Sequence, residues 1–465
     1  MNTPATQLSR ISKLFIDRDE ATPEAALARR QRHGITLRCG SDVEESYTLQ
    51  LAVLTAANIA IRCFPGAVRI ALESRLAEAP LLVWPSLQQT FGQALVGLLG
   101  PDALTELSSH KHDDRVVIFG SAVPTKGALL ATFDGWIAKV GPADDTDRLP
   151  EREYCSLAGI QAASLAISEL FLSFAEISIE ASRRTAALSL WQPAADVRDP
   201  AALGVPVQFL PGDLWILGLG HLGNAYLWSL ATLPYQAPGA VEIFLNDFDR
   251  IEPPNLDTGL LFNPDNLQRH KTRACSDWLE KRGFQTRLVE RRFDSHFRCR
   301  ADEPRLALCG FDSNPARRDL STAEFLRVIE SGLGGTASNF DTISLHTLPN
   351  ARTADELWPD LTAEEEAKRI AYQKHMARQN AAYSHLAGDE CGRYELAGKS
   401  VAVPFVGAAA ACFVVAESIR LLHNGPACTG IKLALSAPGR RVALSTGNYR
   451  NQDFAGLKYC DCRVY

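Results

Sequence analysis

The run Asp213-Leu-Trp-Ile-Leu217, followed at once by Gly218-Leu-Gly-His-Leu-Gly223, constrains this chain more than any other stretch. A short apolar strand, a glycine turn and a helix beginning near Asn224 open a βαβ unit. In G-x-G-x-x-G, Gly218 permits the tight turn, Gly220 the close approach of a phosphate and Gly223 close helix packing. The helix N-terminus offers free N–H groups and a partial positive charge to an anion. A second strand, Val241 to Leu245, ends in the acidic run Asn246-Asp-Phe-Asp249. Strand, glycine turn, helix, strand and acid is the order of a dinucleotide-type fold, and taken alone it fits a NAD- or FAD-binding protein.

The first half carries a worn copy of the same order. Ile35 to Arg38 reads as a strand, Cys39-Gly40-Ser41 as a turn, Leu49 to Cys63 as an apolar helix and Val68 to Leu72 as a second strand. Both copies place Pro-Gly-Ala-Val before the second strand, at 65–68 and 238–241. Both end in a small-residue helix that reaches Glu at the same step, Ala158 to Leu172 and Val406 to Arg420. The expected fold is therefore α/β, with two Rossmann-like domains in tandem, the first degenerate. They span residues 1–200 and 206–465, and the Pro-, Ala- and Asp-rich stretch Gln192 to Val207 links them. A polar, helix-prone segment over about 353–390 interrupts the second domain, and its charges Glu364 to Arg369 read as a solvated helix face.

Past the second strand the chain carries more than a glycine motif: Asn246-Asp-Phe-Asp-Arg-Ile-Glu-Pro-Pro-Asn-Leu-Asp-Thr-Gly-Leu-Leu-Phe262, then Lys271, then Cys309-Gly-Phe-Asp-Ser-Asn-Pro-Ala-Arg317. The run resembles the D-x-D-x-(I/V)-E-x-S-N-L-N-R-Q-x-L-F…K and C-x-D-N-x-x-x-R segments of ubiquitin-activating enzymes and of the ThiF-type sulfur-carrier adenylyltransferases of thiamine and molybdopterin synthesis. The resemblance implies ATP and Mg²⁺ as cofactors. It places Gly218, Gly220 and Gly223 at the nucleotide, Asp247 on the ribose hydroxyls, Asn255 and Lys271 on the phosphates, Asp312 on the metal and Asp249 beside phosphates or metal. One position departs from the pattern, since the arginine of N-L-N-R-Q is Thr258 here. In the family a second arginine arrives from the partner domain. Arg10, in Ser9-Arg10, and Arg18 are candidates for that role, followed by Arg29, Arg30 and Arg32.

Of eleven cysteines, most sit in apolar runs and read as small hydrophobes. Cys391 stands in the polar context Gly388-Asp-Glu-Cys-Gly-Arg-Tyr394, shortly before Val401-Ala-Val-Pro-Phe-Val-Gly407. Sulfur-carrier relatives place a reactive cysteine ahead of a strand and a P-x-V-G helix start, so the resemblance assigns the thiol to Cys391. Gly392 is expected to leave room for a substrate backbone and Arg393 to favour the thiolate. Zinc is not expected, because only Cys460 and Cys462 are paired and a tetrahedral site needs four ligands.

The resemblance thus implies a modifier-activating enzyme of the bacterial conjugation type. It adenylates a ubiquitin-like protein's C-terminal carboxylate, takes the acyl group onto Cys391 as a thioester and hands it to a conjugating enzyme. The alternatives are a sulfur-carrier adenylyltransferase, a NAD-dependent oxidoreductase and a non-catalytic nucleotide-binding scaffold. A net charge of -6 with 22% charged residues gives no basic excess for nucleic acid. The opening MNTPATQLSR lacks a signal-peptide core, and thinly spread cysteines fit a reducing cytosol. Val401 to Ala416, broken by Pro404, is short of the roughly 20 residues of a bilayer span. It is read as a buried helix preceded by a strand.

Overall fold

The computed structural model describes residues 7–105, 114–387 and 389–463. Each half is a twisted sheet clasped by helices, and the two sheets share one strand order. In the first half β1 (Ile35–Cys39), β2 (Val68–Ala71), β3 (Leu104–Thr105), β4 (Arg115–Phe119), β5 (Leu129–Asp134), β6 (Ile137–Pro142) and β7 (Ala186–Ser189) run in the order β3-β2-β1-β4-β5-β6-β7. β8 (Phe209–Pro211) pairs with β17 (Tyr459–Asp461). In the second half β9 (Leu214–Leu217), β10 (Glu242–Asn246), β11 (Gln285–Val289), β12 (Leu306–Cys309), β13 (Arg327–Leu333), β14 (Thr342–Leu348), β15 (Pro426–Ala434) and β16 (Val442–Asn448) run β11-β10-β9-β12-β13-β14-β15-β16. β9 to β13 are parallel neighbours and β14 to β16 antiparallel. Two tandem Rossmann-like α/β units are thus formed. In each the order reverses beside the first strand, and ligands bind at such a switch point outside the strands' carboxyl ends.

The repeated small-residue helices are Leu157–Phe174 and Pro404–Leu422, and they pack on each other across the halves, with Phe171 and Phe405 ring centroids 5.4 Å apart. Pro404 occupies the first helical position, where its missing N–H costs nothing. The alanine run favours helix, and Asn424 ends it in the left-handed region at φ 51°. Every residue of Pro404–Leu422 is buried, as expected of a helix that is apolar all round. Both helices are long and apolar enough to cross a membrane by length and composition, and both lie inside the protein core. The strand expected before Pro404 does not form. The Val401 N–H reaches the Gly335 carbonyl at 2.8 Å and the Ala402 N–H reaches that of Arg10 at 3.4 Å. These acceptors belong to two different segments, so no ladder builds.

The shared Glu has a physical reason. Glu169 accepts from Ser182 N–H at 2.8 Å and pairs with Arg184 at 2.7 Å. Its counterpart Glu417 accepts from Cys428 N–H at 2.9 Å and Tyr449 O–H at 2.5 Å and pairs with Arg420, both side chains fully buried. Each acid ties its helix to the chain that returns behind it. Glu417→Ala strands the Arg420 charge in the core, so chemical denaturation is expected to show a loss of about 3–5 kcal/mol.

The polar insertion forms helices Ala354–Leu357, Ala363–Gln379, Ala381–Leu386 and Glu390–Gly398. Its charged face is solvated, with exposed pairs Glu364–Lys368 and Glu366–Arg369 at 2.6 Å. Its apolar face, Met376, Tyr383 and Leu396, packs on Leu8 and Ile16 of the N-terminal segment.

Candidate active site

The crevice at the β9–β12 switch point is a cavity of about 550 Å³, and it brings together every nucleotide-site residue expected from the sequence apart from Gly223, which lies just behind it. Gly218 leaves β9 at φ +80°, a conformation that suits glycine. A Cβ on Gly223 would lie 1.9 Å from the Gly218 carbonyl oxygen, so the helix His221–Ala231 can start here only on glycine. A Cβ on Gly220 would meet nothing within 4 Å, which leaves open space at the helix N-terminus, where N–H groups favour an anion.

Asp247 ends β10. Its Oδ2 accepts from Leu219 N–H at 2.7 Å and its Oδ1 from Asp249 N–H at 2.8 Å, which ties the acidic turn to the glycine loop. Burial raises its pKa, and Lys271 at 4.0 Å works in the opposite direction. Lys271 Nζ donates to Asp249 Oδ2 at 2.9 Å. Burial pulls the Lys271 pKa down, but Asp247, Asp249 and, more weakly, Asp312 outweigh it and the net direction is up. The ammonium is therefore held charged. Asn255 lies on the short helix Pro253–Thr258 and its Oδ1 accepts from Glu252 N–H at 2.9 Å, leaving Nδ2 as the donor for a ligand. Asp312 is exposed in the turn after β12. That turn is pinned by Arg317, whose guanidinium donates to the Phe311 carbonyl at 2.6 and 3.0 Å and pairs with buried Glu330 at 2.8 Å. Asp247 and Asp249 are the carboxylates nearest this ammonium, at 4.0 and 2.9 Å, and Asp312 acts on it more weakly.

Thr258, at the position of the absent arginine, is buried. Among the five arginine candidates, Arg10 alone lines the cavity. Its Nη1 is buried without a hydrogen-bond partner. Burial lowers its pKa, against the pull of Glu252 and Asp257. Arg18 and Arg29 instead pair with Asp19 at 2.8 and 2.6 Å, and Arg30 donates to the Cys63 carbonyl at 3.1 Å. The unpartnered Arg10 Nη1, the Lys271 ammonium, the Gly220 opening and the acids Asp247, Asp249 and Asp312 thus share one crevice.

Two further cavity residues carry no role in the sequence motifs. His221, inside the glycine loop, hydrogen-bonds the Pro404 carbonyl, and burial lowers its pKa to about 4, so it is neutral with a bare, buried Nε2. Arg292 lies 4.6 Å above the ring of Phe248 at the cavity mouth. The histidine within the motif and the aromatic between the two acids were the available signals.

In the degenerate half the matching crevice holds its own anion. Asp42, after β1, accepts from Ser121 N–H and Oγ–H at 2.8 Å and pairs with Arg148. Glu44, Glu45 and Glu73 line the same hollow. Four acids against one lining arginine, Arg75, leave the hollow net negative, which disfavours a phosphate.

Cys391 is the one exposed cysteine of the eleven. It is the second residue of the helix Glu390–Gly398, whose N-cap Asp389 accepts from Gly392 N–H at 2.7 Å. It does not line the nucleotide cavity. About 10 Å of helical rise separates it from Gly398, just before the wall residues Ser400 to Ala402. One expectation around it is corrected. Arg393 donates to the Ala377 and Ala387 carbonyls at 3.0 and 3.3 Å, so its guanidinium is spent on stitching the helices together. A Cβ on Gly392 would lie 2.9 Å from Asp389 Oδ1 and 3.0 Å from Ala387 Cβ, so the lack of a side chain here serves the helix cap. Cys460 and Cys462 flank the end of β17, and no cluster of three or more His, Cys, Asp or Glu able to hold a metal occurs among the described residues.

Comparison with known proteins is consistent with two joined units. Residues 34–190 match the BilD N-terminal domain model and residues 210–425 the BilD C-terminal domain model. The bacterial E1-like protein BilD of Collimonas sp. (strain OK412) is 38% identical over 430 residues, covering 91% of this chain and 90% of that protein. Among solved structures, E. coli MccB aligns with 51% of this chain and 62% of its own at 18% identity and a TM-score of 0.36. E. coli tRNA N6-threonylcarbamoyladenosine dehydratase, TcdA, aligns with 46% and 86% at 13% identity and a TM-score of 0.30. The extent and identity of the BilD match show that the chain belongs to the BilD family of E1-like proteins.

Proposed function

We propose that this protein activates a ubiquitin-like protein with ATP and Mg²⁺ and carries the activated acyl group on Cys391 to a conjugating enzyme. The observation that carries the first step is Arg10, delivered by the N-terminal segment into the crevice that holds Lys271 and the Gly220 opening, with a buried Nη1 that has no hydrogen-bond partner. Attack of a carboxylate on an α-phosphate drives two anions together, and fixed cations relieve that repulsion as charge builds on the phosphates. Asp247 orients the ribose, Asn255 and Lys271 hold phosphate oxygens, and Gly220 lets the chain approach. Asp312, with Asp249 beside it, would hold Mg²⁺, which would supply further charge neutralisation on the phosphates.

The partner's carboxylate oxygen bonds to the α-phosphorus, the bond to the β-phosphate oxygen breaks, and pyrophosphate leaves. The thiolate of Cys391 then attacks the acyl carbon, forming the thioester as the bond to AMP breaks and AMP leaves with the electron pair. The cysteine is accessible and the E1-like relative carries a name that fits such chemistry. Because the thiol stands outside the cavity, the two steps occur at separate stations, and the insertion that carries Cys391 must bring it to the adenylate.

The test of adenylation is isotope exchange between pyrophosphate and ATP. An intact ubiquitin-like partner is expected to stimulate exchange, and the same partner lacking its last residue is expected to be inert. Exchange indifferent to the partner's C-terminus would sink the proposal.

A further inference from the structure

The degenerate half does more than fill space beside the active one. Its helix Tyr47–Cys63 ends beside the loop after the short helix of Asn255 and Thr258. From that end Arg62 reaches across the domain boundary. Its Nε donates to the Gly259 carbonyl at 3.2 Å, and its Nη2 to those of Gly259, Leu260 and Phe262 at 3.0, 3.3 and 2.9 Å. Its remaining nitrogen donates to Asn58 Oδ1 at 2.6 Å, and Asn58 Nδ2 in turn donates to the Leu260 carbonyl at 3.1 Å. One guanidinium and one amide thus gather the carbonyls of Gly259, Leu260 and Phe262 in the other half. Arginine at a helix's carboxyl end satisfies carbonyls that have no partner within the helix. Here the arginine comes from another domain, at the helix whose own family position for arginine is Thr258.

The connection continues inward. Leu261 N–H donates to Asn224 Oδ1 at 3.1 Å, and Asn224 Nδ2 donates to the Leu219 and Gly220 carbonyls at 2.8 and 3.1 Å. Asn224 is fully buried. Leu219 N–H, on the same loop, is held by Asp247. On the outer side Gly259 N–H donates to the Asn255 carbonyl at 2.8 Å. A continuous chain of hydrogen bonds therefore runs from the degenerate half, through the loop 259–262, to Asn255 on one side and the glycine loop on the other.

We propose that Arg62 and Asn58 are positioning residues for the nucleotide site, supplied from across the domain boundary by the degenerate half of the same chain. They set the loop 259–262, and Asn224 passes that setting to the peptide groups around Gly220. The inference rests on the adenylation reading for what the site binds. The geometry it invokes is independent of that reading.

The test joins two measurements on the full chain: ATP affinity by calorimetry and amide hydrogen exchange, in wild type, Arg62→Met, Asn58→Ala, Asn224→Ala and the double variant Arg62→Met/Asn224→Ala. Each single change is expected to weaken ATP binding about 10-fold, the size of loss on removing an outer-shell hydrogen bond. The double variant is expected to lose no more than its worse single, because both act along one connection. Exchange should quicken over residues 255–262 and 218–224 and stay unchanged in β4 to β6. Losses that multiply in the double variant, or faster exchange throughout the chain, would mean general damage and overturn the proposal, as would unchanged exchange at 218–224 in Arg62→Met. If Arg62→Met does not fold, Asn58→Ala with Asn224→Ala completes the same cycle. Wild-type protein that binds no ATP would defeat the nucleotide reading, and the exchange data would still decide the positioning role.

Discussion

Cys391→Ala is expected to abolish any thiol-labile adduct between this protein and a ubiquitin-like partner while leaving pyrophosphate–ATP exchange within about 2- to 3-fold of wild type. The layout dictates the separation. The nucleotide cavity is walled by β9, β10 and β12 and their loops, whereas Cys391 lies on the helix Glu390–Gly398 outside it. Removing a sulfur that touches none of the cavity should not disturb attack on the α-phosphate. The measurement is a non-reducing gel with mass spectrometry after incubation with ATP, Mg²⁺ and the partner. An adduct that survives in Cys391→Ala would move the thiol elsewhere, yet the other cysteines offer little. Cys39, Cys63, Cys155, Cys275 and Cys309 are buried, and burial pushes each thiol's pKa well above its ordinary value, away from the nucleophilic thiolate. If exchange falls along with the adduct, the two stations are coupled more tightly than the cavity wall indicates.

Short-range chemistry makes much of this molecule readable from its sequence. The apolar strand, glycine turn and acidic strand end are local consequences of backbone sterics and alternation, so both strands of the β9-to-β10 unit lie within a residue of their expected bounds, and the helix between them starts at His221, three residues before the expected Asn224. The degenerate half is recognisable because the repeat preserves what packs, including the buried Glu169 and Glu417, while losing what binds. The structure adds a feature that works against a phosphate there: acids outnumber cations in the hollow after β1, where Asp42 is held by Ser121 and Arg148. Long-range partners are the part that cannot be read. Arg393 beside Cys391 looks like an activator of the thiol, yet in space its nearest acceptors are carbonyls 6 and 16 residues upstream. Val401 to Val403 has strand composition, yet its amides find single carbonyls on separate segments. Arg62 lies in the last turn of an unremarkable helical pattern, and its carbonyl partners are about 200 residues further along the chain. Periodicity carries no information about such pairs.

Arg10 is the case where sequence offers several residues and geometry separates them, and it carries the second large effect expected of this protein. Arg10→Ala should lower partner-dependent pyrophosphate–ATP exchange by about 10²- to 10³-fold, or roughly 3–4 kcal/mol of transition-state stabilisation, the scale of removing one preorganised donor from a developing anion. The apo protein should respond in the opposite sense. Burial lowers the Arg10 pKa, with Glu252 and Asp257 compensating only in part, and Nη1 has no hydrogen-bond partner. Holding the charge there without a ligand is therefore a cost to folding. Removing it should leave the melting temperature unchanged or raise it, while the stabilisation that ATP confers by binding the native state is largely lost. Arg10→Lys keeps the charge but not the forked donors and should fall between the two. A simple structural role would lower the melting temperature and the exchange rate together. Should Arg10→Ala retain both its exchange activity and its ATP-dependent stabilisation, the positive charge absent at Thr258 would have no substitute from the N-terminal segment, and the proposed adenylation would have to proceed on Lys271 and the metal alone.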